Sequence, residues 1–258
     1  MVCGFQRTDE TFTVFKKYHI NKKRRYEEMK AREFAWFDLN VLRAVPEHHV
    51  VRVLDLMMRS KSQMRQDVMV LSHLNFKRDG YFVEFGATNG VDLNNSWLME
   101  KEFGWTGIVA EPGRIWQDAL KSNRSCAIDE RCVAPRTGEM VEFTLAPRGE
   151  NSGISEFVPK RRQMRGTQYK VETVSLNDLL AEHGAPEIID YVSCDTEGSE
   201  NTIMEAFDFS KHKFRFFSVE HNFEPRREDM YNLMTRNGYK RIHTDLSRDD
   251  DWYIYPGL

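Results

Sequence analysis

Carboxylates close the apolar runs of this chain. Glu84 stands in Tyr81-Phe82-Val83-Glu84-Phe85-Gly86, and Glu111 ends Gly107-Ile108-Val109-Ala110-Glu111. Asp129-Glu130 end the run from Ser125, Asp195 ends the run from Ile188, and Glu220 comes just before His221-Asn222. Acidic residues favour helix N-termini, and some of these serve that purpose. Five consecutive runs closed alike point instead to one acidic site beyond the carboxyl ends of parallel strands, where open α/β sheets bind ligands.

The turn Glu84-Phe85-Gly86-Ala87-Thr88-Asn89-Gly90 lacks the G-x-G-x-x-G spacing of a dinucleotide-binding turn. Gly86 and Gly90 let the backbone bend sharply and come close to a ligand with no Cβ in the way. A phosphate-binding turn needs free N–H groups and no negative charge nearby, whereas this one is flanked by Glu84, Glu111, Asp129 and Asp195. Such a site repels pyrophosphate, which disfavours a nicotinamide-dependent oxidoreductase. It suits a ligand with a cationic amine, a ribose diol and a sulfonium, and S-adenosylmethionine carries all three. Glu111, with Pro112 beside it, is placed for the ribose hydroxyls, Asp129 or Glu130 for the adenine amino group, and Glu84 and Asp195 for the aminoacyl end. Asp195 and His221, on adjacent strand ends, are the expected general bases for an acceptor hydroxyl. Asp195, Glu220 and His221 also have the donor types of a divalent-metal site. No metal is expected, because strand-end carboxylates already have a cofactor to hold.

The elements that must position these residues follow from periodicity. Residues 1–75 read as a helical segment: 21–43 lacks Gly and Pro, with Phe34, Phe37, Leu39 and Leu42 at roughly helical spacing. After Pro46, residues 50–74 place Val53, Leu54, Met57, Met58, Met64, Val68, Leu71 and Leu74 on one broad face. From residue 76 strands and helices alternate, with strands expected at 81–85, 107–111, 125–130, 140–146, 169–174, 188–195, 214–220, 239–243 and 252–255. Helices are expected at 93–103, 115–121, 176–183, 200–207 and 226–236. Repeated strand–helix units imply a three-layer α/β sandwich with a mostly parallel sheet. Residues 244–251 are too few for a parallel crossover, so the last two strands are expected to pair antiparallel.

The 258 residues carry 40% hydrophobic side chains, enough for one large α/β domain with a helical extension. A net charge of −3 gives no overall electrostatic case for nucleic acid or an anionic membrane. The basic run Lys22-Lys23-Arg24-Arg25 is followed by Glu27, Glu28 and Glu33, as on a solvated helix face. The four cysteines, Cys3, Cys126, Cys132 and Cys194, show no paired spacing, which fits a reducing compartment. No stretch is apolar enough for a signal peptide or a membrane span. A cytoplasmic protein is expected.

"YFVEFGATNGVDLNNSWLMEKEFGWTGIVAEP" resembles the first motifs of the FkbM-type methyltransferases, and "SQMRQD", "NSGIS", "VETVSLNDLL" and "IDYVSCDTEGSEN" match that family's order. The likeness runs over roughly residues 60–245. It implies a Rossmann-like class I methyltransferase fold at 76–258 and S-adenosylmethionine-dependent O-methylation of a sugar, glycan or related metabolite. It also implies cofactor contacts from Glu84, Gly86, Ala87, Asn89, Gly90, the Asn95-Ser96 pair and Glu111, an adenine contact over Asp129, Glu130, Cys132 and Val133, and Asp195 beside the methyl donor, with Glu197 nearby. Gln66 and Asp67 are expected to reach the same cleft. The acceptor side is expected to include Glu220 and Asn222, with Arg161, Arg162 and Arg165 of a lid at 150–168 touching an anionic portion such as the phosphate of a nucleotide sugar or lipid-linked sugar. A scaffold that keeps the fold without catalysis is the alternative. The first sixty residues match nothing in the family and leave two roles open, covering the acceptor site or building a homodimer.

Overall fold

A computed structural model describes the chain from Asp9 to Leu258, with side chains from Glu27 onward. The basic run at 22–25 and Cys3 lie outside the residues whose side chains are described. The chain divides into two units, one ending at Ala44 and one spanning Val45–Leu258. The first is built on α1 (Asp9–Ala44), which stops two residues before Pro46, where the preceding residue is pushed out of helical geometry. Phe37 and Val41, one turn apart, are its buried positions, while Phe34 and Leu39 are exposed.

In the second unit, the single helical face expected over 50–74 does not form. Two helices stand there, α2 (Val50–Met57) and α3 (Gln66–His73). Between them no Gly or Pro breaks the helix. Serine side chains do so by competing for backbone and side-chain partners. Ser62 Oγ accepts from the Gln66 N–H (2.9 Å) and Ser60 Oγ donates to Asp67 Oδ1 (2.8 Å). Arg65 adopts a left-handed φ of 60° at the start of α3.

The α/β region then runs β1 (Tyr81–Phe85), α4 (Trp97–Phe103), β2 (Thr106–Ala110), α5 (Gln117–Asn123), β3 (Ala127–Asp129) and β4 (Cys132–Ala134). An excursion follows with β5 (Met140–Leu145), β6 (Gly153–Ile154), α6 (Lys160–Gln163) and β7 (Thr167–Ser175). The chain ends with α7 (Leu176–Glu182), β8 (Ile188–Cys194), α8 (Glu200–Glu205), β9 (Lys213–Glu220), α9 (Arg227–Arg236), β10 (Lys240–Ile242) and β11 (Asp250–Ile254). The main sheet has the order β10-β11-β9-β8-β1-β2-β3. Strands β3, β2, β1, β8 and β9 are parallel, and β11 runs antiparallel to both β9 and β10. The sheet winds outward in both directions from β1. Right-handed crossovers therefore put α4 and α5 on one face and α8 and α9 on the other. This is the fold class expected from the sequence: Rossmann-like, mostly parallel, with an antiparallel C-terminal hairpin. Together with β4, the excursion forms a second sheet of order β4-β7-β5-β6.

The central strands are apolar on both faces because helices cover both. Val83, Phe85, Ile108, Val192, Phe214 and Phe217 lie in one core with Leu179, Met204, Leu233 and Met234 from the helices. Each such side chain contributes roughly 1.5–3 kcal/mol when fully buried, so the strand ends rest on a rigid platform. The second sheet has its own small core of Cys132, Ala134, Phe143, Ile154 and Val171.

Candidate active site

Strand register decides which carboxylates share an edge. Phe85 pairs with Ala110 and Cys194, Ala110 with Asp129, and Cys194 with Val219. The next residues along that line are Gly86, Glu111, Glu130, Asp195 and Glu220. Asp129 sits one residue inside that line and Glu84 two. A cavity of about 370 Å³ opens above this edge. Its walls include Gly86, Glu111, Pro112, Cys132, Val133, Asp195, Glu197, Glu220 and Asn222, together with Asn95 and Arg162.

Glu111 is 5% exposed. Its two oxygens accept N–H groups from Thr88 (2.8 Å) and Gly113 (2.7 Å). Burial pushes its carboxyl up to about 7 against those two bonds. Each oxygen keeps a lone pair for a further donor.

At Gly86, with φ +75°, a Cβ would lie 2.2 Å from the Asp195 carbonyl oxygen, so this glycine lets the ends of β1 and β8 meet. At Gly90, with φ +78°, a Cβ would lie 2.7 Å from both Arg124 Cγ and Leu120 Cδ1. Glu84 is buried beneath the turn. It accepts from the Asn95 N–H (2.7 Å) and from Ser96 Oγ, which orients Asn95 toward the cavity. Burial raises its pKa, and the Arg124 guanidinium opposes the shift. Asn95 is further tied by Nδ2 to Ser193 Oγ (2.9 Å) and by Oδ1 to Ser62 Oγ (2.7 Å).

Ala87, Asn89, Gly90 and Ser96 support the turn from outside the cavity. The Asn89 Oδ1 accepts the N–H groups of Val91 (2.9 Å) and Asp92 (2.8 Å). Asp129 is held by Arg131, whose Nη2 lies 2.6 Å from its Oδ2. Burial alone would raise the Asp129 carboxyl, but the Arg131 guanidinium keeps it below its ordinary value. Glu130 is exposed and pairs with Lys121. Neither acid lines the cavity. Cys132 and Val133 do, with Pro112 and Phe143.

Past β8 and β9, carboxylate oxygens of Asp195, Glu197 and Glu220 all come within 4.8 Å of one another. Register puts Asp250, the first residue of β11, directly opposite Glu220. Burial and then the Asp250 charge raise Asp195 well above the usual carboxylate range. Burial and then Asp195 do the same to Glu220. Asp250 is pushed up to about 6 by burial, opposed by the Gln66 amide, whose Nε2 donates to Asp250 Oδ2 (2.8 Å). One oxygen of Glu220, Oε2, is buried with no partner.

His221 stands outside this cavity. It lines a smaller cleft of about 20 Å³ with Glu200, Asn201 and Arg227. Its Nδ1 accepts the Phe223 N–H (2.9 Å) and its Nε2 is 3.9 Å from Asp251 Oδ1. Arg162 reaches the cavity wall and pairs with Glu197 (2.5 Å), while Arg161 and Arg165 are exposed and do not line the cavity. Gln66 lines the cavity, and Asp67 is buried away from it. Sequence reasoning missed Asp249, Asp250, Ser193 and Ser218 as wall residues. The acidic triplet 249–251 was the available signal for the first two.

The fit to S-adenosylmethionine can be judged on this wall. The cavity offers carboxylates for an amine and a sulfonium, a doubly anchored Glu111 for a diol, an apolar patch at Cys132 and Val133 for a base, and an unpartnered Glu220 oxygen. These residues fit the group.

The FkbM methyltransferase domain matches residues 84–241, more than half of the chain. The chain belongs to the FkbM methyltransferase family. No curated protein matches it. Among solved structures it is similar to a precorrin-6y C5,15-methyltransferase from Geobacter metallireducens GS-15, at 12% identity over 73% of this chain and 84% of that one, TM-score 0.40. It is similar to the METTL16 methyltransferase domain at 12% identity over 73% of this chain and 64% of that one, TM-score 0.41. A putative RNA methyltransferase from Pyrococcus horikoshii follows at 11% identity over 73% and 80%, TM-score 0.37. Likeness at these scores carries no argument about chemistry. The family match rests on the sequence, and the FkbM assignment implies S-adenosylmethionine as donor. Among the described residues no helix is long and apolar enough to cross a membrane.

Proposed function

We propose that this FkbM-family chain methylates a hydroxyl of a sugar, glycan or related small metabolite, using S-adenosylmethionine as donor. The observation that carries the reading is the single cavity edge on which register aligns Gly86, Glu111, Asp195 and Glu220. Glu111 would hold the ribose hydroxyls, Cys132 and Val133 the base, and Asn95 with Asp195 the aminoacyl end. When bound, S-adenosylmethionine supplies an electrophilic methyl group on a positively charged sulfur.

The chain's own residues then have two tasks. One is positioning, which supplies most of the rate in an in-line displacement. The other is taking the acceptor's proton. Carboxylate oxygens of Asp195 and Glu220 lie within 4.8 Å of each other, and burial among like charges makes an ionised Asp195 a stronger base than a carboxylate in water. Asp195 is the base in this proposal, with the Glu220 carboxylate beside it. His221, in the neighbouring cleft, supports the strand end. Arg162, Asn222 and the excursion at 149–166 form the acceptor wall. The free cysteines Cys126, Cys132 and Cys194 suit the reducing, cytoplasmic setting of the proposal.

Incubation with methyl-labelled S-adenosylmethionine and a panel of sugars, nucleotide sugars and glycolipids tests the proposal, with product mass as the readout. Label in a hydroxyl-bearing product supports it. Binding of the donor with no label in any member of the panel favours the scaffold alternative.

A further inference from the structure

We propose that Arg124 is the positioning residue of the cofactor turn, holding residues 86–96 in the conformation the donor requires; this rests on the methyl-transfer reading above. That segment supplies Gly86, Thr88, Leu93 and Asn95 to the cavity. Its backbone is strained at two non-glycine residues, Thr88 with φ +49° and Leu93 with φ +58°. Such geometry persists only where the surroundings over-determine it.

Arg124 follows α5, and its side chain is 0% exposed. Nη1 donates to Asn94 Oδ1 (2.8 Å) and to the Gly90 carbonyl (3.4 Å), and Nη2 donates to Ser96 Oγ (2.8 Å). Nε donates to Glu100 Oε2 (2.7 Å), anchoring the fork to the first turn of α4. Nη1 also lies 3.8 Å from Glu84 Oε2, the carboxylate that takes the Asn95 N–H. The stem packs under Gly90, where no Cβ would fit. One guanidinium thus touches the middle and the end of the segment, while Glu84 ties it to β1. Arg124 does not line the cavity, so it acts through the segment.

The plainer role is charge: a buried cation that neutralises Glu84 and Glu100. Lysine keeps the charge and loses the planar fork, which separates the two roles. The test is calorimetric affinity for S-adenosylmethionine in Arg124→Lys and Asn94→Ala, with amide hydrogen exchange over the same chains. Asn94 does not line the cavity and carries one of the Arg124 contacts. We expect Kd to rise about tenfold or more in Arg124→Lys and about threefold in Asn94→Ala, as loss of hydrogen bonds to a charged group requires. Amides at 87–95 should exchange faster while those of β8 and β9 keep their rates. A variant with unchanged core exchange that binds the donor as the wild type does overturns the proposal. If Arg124→Lys does not fold, Asn94→Ala decides on the same criterion. Should the wild type itself fail to bind the donor, the functional reading falls, and exchange at 87–95 still decides whether Arg124 holds the turn.

Discussion

On the reading proposed above, Glu111 should make donor binding depend on pH in a defined direction. Its carboxyl is pushed up to about 7 by burial, so it loses its proton between pH 6 and 8. Hydroxyl groups of a ribose donate best to the ionised form. For binding to that form alone, Kd scales with one plus the ratio of protonated to ionised group, a factor of about 1.1 at pH 8 and about 11 at pH 6. The wild type should therefore bind S-adenosylmethionine about tenfold more weakly at pH 6 than at pH 8. In Glu111→Gln that slope should vanish. The amide must also point its nitrogen at one of two backbone donors, the Thr88 or the Gly113 N–H, and leave it unpaired. A lost hydrogen bond to a charged group is worth about 1.5–3 kcal/mol, or about 10- to 150-fold in Kd at pH 8. Isothermal titration at pH 6, 7 and 8 reads both effects. Asp250, pushed up to about 6, would give a slope centred lower, so the two acids are separable. A wild-type affinity that is flat from pH 6 to 8, or a slope that survives in Glu111→Gln, refutes the assignment.

Three further outcomes follow from the same geometry. Asp195→Asn should lower turnover about 10²–10⁴-fold at saturating donor, the usual worth of a positioned base, while His221→Ala, which empties the neighbouring cleft, should cost less than about tenfold. Equal losses in the two variants would move the base to His221. Asp67 is wholly buried with Oδ2 unpartnered, and burial raises its pKa to about 6. The folded state therefore binds its proton more tightly than the unfolded chain, so stability from this group is full below about pH 4 and is lost as pH rises through 6. Asp67→Asn should gain on the order of 2–3 kcal/mol at pH 8 by thermal melts, and little at pH 4. A gain independent of pH would rule out the charge as its cause. Arg162→Ala alone should raise the acceptor's KM as much as changing Arg161, Arg162 and Arg165 together, because only Arg162 lines the cavity and pairs with Glu197. A triple variant markedly worse than the single one would bring the other two arginines to the acceptor.

The parallel strands of the main sheet were legible because they are short apolar runs with a polar stop, and the hairpin because residues 244–251 are too few for a parallel crossover. β4 and β6, of three and two residues, are too short for periodicity to register and exist only through pairing with β7 and β5. The break between α2 and α3 escaped because serines, rather than glycine or proline, make it. Glu111 and Asp195 were readable as strand-end acids, since in a parallel sheet the strand end is itself the site. Asp250 was marked only by the acidic triplet 249–251, because it begins its strand rather than ending one. It reaches the cavity only because β11 runs antiparallel beside β9, a pairing between residues far apart in sequence. Arg124 read as an ordinary residue between a helix and a strand. Its role depends on Glu84, Asn94, Ser96 and Glu100, three of them on the turn and helix opposite.

The acidic end of the cavity also bears on why a carboxylate cluster is tolerable there. Like charges directly opposite on neighbouring strands destabilise a sheet, and Glu220 faces Asp250 in just that way. Arg162 engages Glu197 at the rim, and Gln66 gives Asp250 a neutral partner. In the free chain, the raised proton affinities of Asp195 and Glu220 mean that bound protons hold the charge down there. On the reading proposed above, a cationic donor can replace that protection. Asp195 or Glu220 would then take the proton of the acceptor hydroxyl, offsetting the positive charge that methyl transfer would remove from the donor. The cavity's total charge is then the same before and after transfer, so a desolvated site need not reorganise to absorb the change. A phosphorylated coenzyme would add negative charge to the same walls at both stages. On that reading, the feature that makes these carboxylates costly in the free chain is the one that would select a positively charged group carrier.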